Sequence, residues 1–371
     1  MNKHENKLTM FDYIQEEPIC LRRQLEHASE LYKPLIESVG KAEVDQVIII
    51  ASGSSSNAAL CARPFMQKIL NMNIAVYTPG EFVVENYMPK ERTLCMVVSQ
   101  SGCSTNAISA LDLLREHKQL AVGVTSDLES DFRMHADLLV DYGCGRESVG
   151  YVTKGMTCLV MFLMLVAVGL AKHLGRVDLI YERALQHDFE LAIKANSLML
   201  QIAKSSYEVN RRAFTNLGVT YCVGFGQTLG ICHEAALKLG ETIKIPALAY
   251  ECDEYAHGPN LQVTPAYSIF FVDDLGRGSI RTRNLCRISA SVSDQCFYLG
   301  EATVVGAHMI AIPGLRPAET LMSPLYELPF FQYLAWHATE ELGHWEEHPL
   351  MREADQRMNT KTSANKEIIP L

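Results

Sequence analysis

The sequence predicts an α/β protein of two domains, each a parallel sheet covered by helices on both faces. Three observations carry this. Apolar, β-branched runs alternate with helical patterns along the chain. Two of those runs end in hydroxyl-rich turns, and a strand, turn and helix order restarts beyond a charged helical stretch in the middle. With 371 residues and 48% hydrophobic content the chain can fill two packed cores and is too long for one comfortable domain.

Residues 47–51 form the clearest strand and run into Ser52, Gly53, Ser54, Ser55, Ser56 and Asn57, after which a helix is expected from Ala58, kinked or shortened by Pro64. A second strand at 94–98 ends in Ser99, Gln100, Ser101, Gly102, Cys103, Ser104 and Thr105, before a helix over 106–117. Strands at 120–125 and 138–141 and a long buried helix at 155–174 complete the first half. Over 177–207 charged Glu182, Arg183, Glu190 and Lys194 interleave with apolar positions, as in a helix joining two domains. The order then repeats: a strand at 218–223, a glycine turn at 224–227 and a helix at 228–241, which reads as an internal duplication. Further strands are expected at 268–272, 295–299 and 309–312, and a closing helix at 324–342. The spans are a helical lead-in over 1–28, a first domain over 29–190, a second over 208–345 and a polar, poorly packed tail over 346–371.

Composition excludes several classes. The net charge of −10, without a clustered Lys/Arg tract, argues against a nucleic-acid or membrane partner, since either needs a basic footprint. The eleven cysteines contain no C-x-x-C pair and read as buried thiols in a reducing, cytoplasmic compartment. The first eleven residues lack the apolar core of a signal peptide, and the longest apolar run, 158–171, is shorter than the ~20 residues of a membrane helix.

A turn at the carboxyl end of a parallel strand aims its N–H groups and the next helix N-terminus at one spot, which favours an anion. Hydroxyls at Ser54, Ser55, Ser99, Ser101 and Ser104 would add donors without charge, so hydrogen bonds alone could hold a phosphate. Taken singly, each serine reads as a helix cap; two such turns on one sheet shift the balance to a ligand. Glu234, Lys238 and Glu241 share a helical face, which by spacing alone reads as a surface ion-pair ladder. The H-x-x-E-H pattern from His344 to His348 is discounted as a zinc site because Gly343 and Pro349 bracket it. No metal or cofactor is expected.

The Ser52–Asn57 turn, Ser99-Gln100-Ser101-Gly102, the segment from Glu234 to Glu241 and His257-Gly258-Pro259 together resemble the sugar-isomerase (SIS) family over about residues 10–345. They are similar in order and spacing to the isomerase half of glucosamine-6-phosphate synthase and to the fructosamine-6-phosphate deglycases. The resemblance implies a tandem pair of five-stranded parallel sheets flanked by helices, flavodoxin-like α/β/α sandwiches, assembled as a homodimer. It implies that Ser54, Ser55, Ser99, Gln100, Ser101 and Ser104 bind a 6-phosphorylated sugar, with Gly150, Thr153 and Lys238 completing the binding set. Tyr151 and Val152 depart from the small and hydroxylic residues of the synthase wall, so a different substrate preference is expected there. Glu241 corresponds to the glutamate that moves a proton between adjacent sugar carbons, and His257 to an acid that reaches the synthase site from the neighbouring subunit. The chain starts almost directly at the isomerase-like part and Cys20 is not terminal, so glutamine is not an expected substrate. Lys361 and Lys366 do not align with the lysine-bearing end of the synthase, and no Schiff-base lysine is assigned. The expectation is a deglycase releasing a hexose 6-phosphate and an amine; an aldose–ketose isomerase, an isomerising glucosamine-6-phosphate deaminase and a non-catalytic sugar-phosphate sensor are the alternatives.

Overall fold

The computed structural model describes residues 8–40 and 44–362; Lys366 lies outside them. The chain divides into two compact units, one of Met1–Ala184 with Glu347–Leu371 and one of Leu185–Glu346.

Unit 1 opens with α1 (Met10–Glu26) and α2 (Ala28–Val39). Thr9 and Asp12 close a capping box at the head of α1: the Asp12 N–H donates to the Thr9 hydroxyl at 3.3 Å and the Thr9 N–H to the Asp12 carboxylate at 2.7 Å. Five parallel strands follow, β1 (Gln46–Ala51), β2 (Asn73–Tyr77), β3 (Thr93–Val98), β4 (Val122–Thr125) and β5 (Leu138–Asp141), in the order β2-β1-β3-β4-β5. Between them run α3 (Gly53–Leu70), α4 (Pro79–Val84), α5 (Thr105–Glu116) and α6 (Phe132–His135); α7 (Lys154–His173) follows the sheet. α3 begins at Gly53 rather than at 58, so the serines form its first turn. Pro64 does not end it, because burial of Phe65, Met66, Ile69 and Leu70 beyond the proline offsets one missing hydrogen bond. By length and composition α7 could cross a membrane; instead it is wholly buried, packed on α1, α2 and α3 as the core helix of unit 1.

Unit 2 begins within α8 (Leu179–Phe214), whose helical geometry breaks at Asn210. Its strands are β6 (Thr220–Gly224), β7 (Ala247–Glu251), β8 (Ser268–Val272), β9 (Cys296–Leu299) and β10 (His308–Ile310), with α9 (Gly226–Thr242), α10 (Cys252–Ala256), α11 (Ser279–Ser289) and α12 (Pro324–Leu342) between or after them. The order β7-β6-β8-β9-β10 repeats that of unit 1 strand for strand, and every pairing is parallel. The duplication read from the sequence is thus a duplication of topology. β2 and β7, which the sequence reading missed, occupy the same edge position in each sheet; both are partly exposed, and their apolar runs, 74–77 and 247–250, are short. α13 (Pro349–Met358) starts only after Gly343 has ended α12 in a left-handed turn, φ +66°, so His344 and His348 share no helix.

The unit 2 core holds one misfit. Glu327 on α12 is 0% exposed and, among the described residues, neither carboxylate oxygen has a hydrogen-bond partner of good geometry. Burial pushes its pKa well above the usual 4.5, and neighbouring Asp273 pushes the same way. A folded-state pKa above the unfolded one means that the folded protein binds the extra proton, so stability falls as pH rises from about 4.5 through the folded value. Glu327→Gln is expected to stabilise unit 2 at pH 8 by about 1–3 kcal/mol, roughly 2–10 °C in Tm, and to do little at pH 5. Parallel melting curves at the two pH values check this, and an unchanged pH response in the variant would contradict it.

Candidate functional site

In unit 1 the carboxyl ends of the neighbouring strands β1 and β3 deliver the two serine turns side by side. Ser52 and Ser104 occupy the N-cap positions of α3 and α5, yet neither makes a side-chain cap hydrogen bond. Their hydroxyls are used elsewhere, which removes the plain capping explanation for both. Ser52 accepts from the Asn106 side-chain amide at 3.0 Å, tying the head of α3 to α5. Ser104 shares a hydrogen bond of 3.0 Å with Ser99. The Ser101 hydroxyl accepts the Cys103 N–H at 3.3 Å, closing a tight turn around Gly102 at φ +60°. Ser54 is buried and Ser55 half-buried in the first turn of α3.

The Gln100 carbonyl is fixed by the Ser126 N–H and by the hydroxyls of Thr125 and Ser126, at 2.9–3.0 Å. Its side-chain amide turns away from the serines to donate to Glu147 at 3.0 Å. Glu147 also accepts the N–H groups of Thr153 and Gly155 at 3.0 Å each, and so satisfies the open amides at the start of α7. The structure thereby joins the predicted residues Gln100 and Thr153 through a carboxylate that sequence reasoning missed. Its only signal was an acidic side chain a few residues ahead of a helix. Gly150 lies exposed in the loop before α7.

The tail departs from the expectation of poor packing. Residues 359–362 run antiparallel along the β3–α5 turn: the Thr105 N–H donates to the Thr360 carbonyl at 3.1 Å, the Thr362 N–H to the Cys103 carbonyl at 2.9 Å and the Thr105 hydroxyl to the Asn359 carbonyl at 2.9 Å. Lys361 then donates to Ser101 at 3.0 Å and to Ser104 at 2.8 Å. Burial lowers its pKa below that of an ordinary lysine. The hydroxyl cradle therefore contains a cationic amine supplied from more than 250 residues away, which no local pattern could reveal.

In unit 2 the predicted helical face is not a surface ladder. Lys238 and Glu234 are each 1% exposed and paired at 3.3 Å, while Glu241, paired with Lys238 at 2.9 Å, keeps 36% exposure. Burial would lower the Lys238 pKa; the carboxylates of Glu234 and Glu241 override it and hold the ammonium at about 12. His257 is exposed just after α10, and among the described residues no hydrogen bond joins it to Glu241.

A parallel sheet of order 2-1-3-4-5 with an anion-suited cradle at its switch point defines a flavodoxin-like type of α/β domain. Residues 42–169 match the SIS domain family, and the chain has the fold of solved structures described as phosphosugar isomerases. A glutamine–fructose-6-phosphate aminotransferase of Vibrio vulnificus is 27% identical over 259 residues, 66% of this chain and 41% of that protein, so the match spans less than half of that relative. Among solved structures, a Clostridium difficile 630 chain proposed to be a phosphosugar isomerase superposes with TM-score 0.84 at 22% identity, covering 96% of this chain and 99% of that one. The C-terminal domain of the Francisella tularensis glucosamine-fructose-6-phosphate aminotransferase gives 0.78 at 17%, covering 92% and 98%.

Gly102 offers a direct test of the cradle. A β-carbon there would lie 1.9 Å from the Ser130 hydroxyl oxygen, and its φ of +60° disfavours a side chain. Gly102→Ala is expected to cost unit 1 about 2–4 kcal/mol, read as a lowered Tm; an unchanged Tm would mean that the turn relaxes freely.

Proposed function

We propose that this protein is a deglycase that removes the amine from a 6-phosphorylated amino sugar, with Glu241 as the proton-transferring base. One observation carries the reading. Lys238, buried between two carboxylates, holds Glu241 in place while leaving that carboxylate part-exposed, as a positioned base requires. Sugar-phosphate anchoring falls to Ser54, Ser55, Ser99, Ser101 and Ser104, with Gln100, Gly150 and Thr153 shaping the wall; these hydroxyls and the adjoining helix termini are suited to an anion.

The substrate is an Amadori-type 6-phosphofructosamine. Glu241 takes the C1 proton, giving an enaminol; protonation at C2 gives a C1 imine; water adds to the imine and expels the amine, leaving glucose 6-phosphate. His257 manages protons on oxygen and nitrogen, as an imidazole can near neutral pH. In the homodimer of this reading the histidine comes from the neighbouring subunit.

Lys361 favours a second reading. An amine with a lowered pKa beside the cradle is suited to forming an imine with an open-chain ketose phosphate, as an aldose–ketose isomerase or an isomerising deaminase of glucosamine 6-phosphate would use.

Incubation with lysine-derived 6-phosphofructosamine, glucosamine 6-phosphate and fructose 6-phosphate in turn separates these readings, with glucose 6-phosphate followed for the first and third and fructose 6-phosphate and ammonia for the second. The deglycase reading expects turnover of the first, and Glu241→Gln is expected to lower its kcat by about 10²–10⁴-fold. Borohydride trapping of fructose 6-phosphate on Lys361, with no turnover of the fructosamine, would replace it by the second reading. Binding of all three without turnover of any would refute the enzyme assignment.

A shared site makes a further prediction. Mixing inactive Glu241→Gln and His257→Ala subunits is expected to restore about a quarter of wild-type activity through mixed dimers; no recovery after verified subunit exchange would place both residues' action within one chain.

A further inference from the structure

Unit 1 contains a second group of reactive side chains that the serine cradle does not use. Cys20 on α1, Cys144 in the loop after β5 and Cys158 on α7 are all buried, and Cys20 and Cys144 both neighbour Cys158. The surrounding scaffold holds them together from both sides. The Gln24 amide donates to the Tyr142 carbonyl at 2.6 Å and to the Cys158 carbonyl at 2.9 Å, and Arg23 donates to the Gly143 carbonyl at 3.0 Å, so α1 clamps both of the other cysteine-bearing segments. Arg23 also lies 3.8 Å from the Cys20 sulfur. Lys154, one turn before Cys158, pairs at 2.8 Å with Glu16, one turn before Cys20.

We propose that Cys20 and Cys158 form a dithiol that a small hydroperoxide oxidises, with Cys20 the attacking thiol and Cys158 the resolving one. The Cys20 thiolate attacks the O–O bond: an S–O bond forms, the O–O bond breaks and the alcohol or water leaves with a proton. Cys158 then attacks the Cys20 sulfur, an S–S bond forms, the S–O bond breaks and the hydroxyl leaves as water with the Cys158 proton. Two thiols and one hydroperoxide give one disulfide, one alcohol (water when the oxidant is hydrogen peroxide) and one water.

The electrostatics support Cys20 as the entry point. The neighbouring Cys158 thiol, Lys154 and Arg23 draw its pKa down to about 6 against the opposing effects of burial and Glu16. Elsewhere burial pushes Cys95, Cys252 and Cys296 up to about 12 and raises Cys222 and Cys286 as well. At 6% exposure Cys20 admits only small oxidants. The inference is independent of the substrate assignment, because its readout is thiol chemistry alone.

The test exposes the full-length folded chain to hydrogen peroxide at pH 7, blocks the remaining thiols with N-ethylmaleimide and maps peptides without reduction. The expected product is a Cys20–Cys158 linkage, reversed by dithiothreitol and formed at least about tenfold faster than any linkage or oxidation at Cys95, Cys222, Cys252, Cys286 or Cys296. In Cys158→Ser the expected product is a Cys20 sulfenic acid captured by dimedone. Cys20 left unoxidised in the folded wild-type chain would overturn the proposal, as would equal sulfenic acid at Cys20 with and without Cys158. Linkage of Cys20 to Cys144 would overturn the assignment of the resolving thiol.

Discussion

One carboxylate holds together what surrounds it in unit 1. The first amides of any helix lack partners within the helix, and α7 is buried along its length, so water cannot serve them. Glu147 meets two of them and takes the Gln100 side-chain amide as well. The core helix, the β3 turn and the loop before α7 are thereby fixed by a single group. Removing that charge would leave buried donors unmet on two elements at once, a larger loss than any one hydrogen bond represents.

The two units share a strand order and differ in what they place at the same ends of their sheets. In unit 1 the turns after β1 and β3 carry hydroxyls and small residues. In unit 2 the corresponding turns are filled from within: Gln227 bridges the Asp274 and Thr320 carbonyls, and Asp273 accepts from Tyr298 and Ser279. A β-carbon at Gly278 would already strike the Phe225 ring. The duplicated crevice has thus become part of a packed core, and the residues proposed as acid and base in unit 2 lie elsewhere, on the face of α9 and after α10. Duplication of a fold carries no obligation to duplicate its site.

Much of this was legible in the sequence because central parallel strands are buried on both faces and read as unbroken apolar runs: Val47 to Ala51 and Leu94 to Val98 announce themselves. β2 and β7 do not, since each lies at a sheet edge half in water and its apolar run, Ile74 to Tyr77 or Ala247 to Tyr250, is short. Serine content marked the cradle, but spacing alone could not tell a capping hydroxyl from one bonded elsewhere; that depends on where each Oγ points. The Glu234, Lys238 and Glu241 face was misjudged by spacing for a similar reason, because periodicity locates a face without saying what covers it. Lys361 was legible only as a lysine in a polar tail, since its partners lie at the other end of the chain.

That distance has a consequence in time. A ribosome releases the strands and helices of unit 1 first, then all of unit 2, and only then the segment whose lysine enters the cradle. At roughly 5–20 residues per second, the nascent first unit waits on the order of ten seconds or more with its serine turns unfilled. The hydroxyl cradle is therefore the last part of its own domain to be finished, still without its lysine while the rest of the protein is being made.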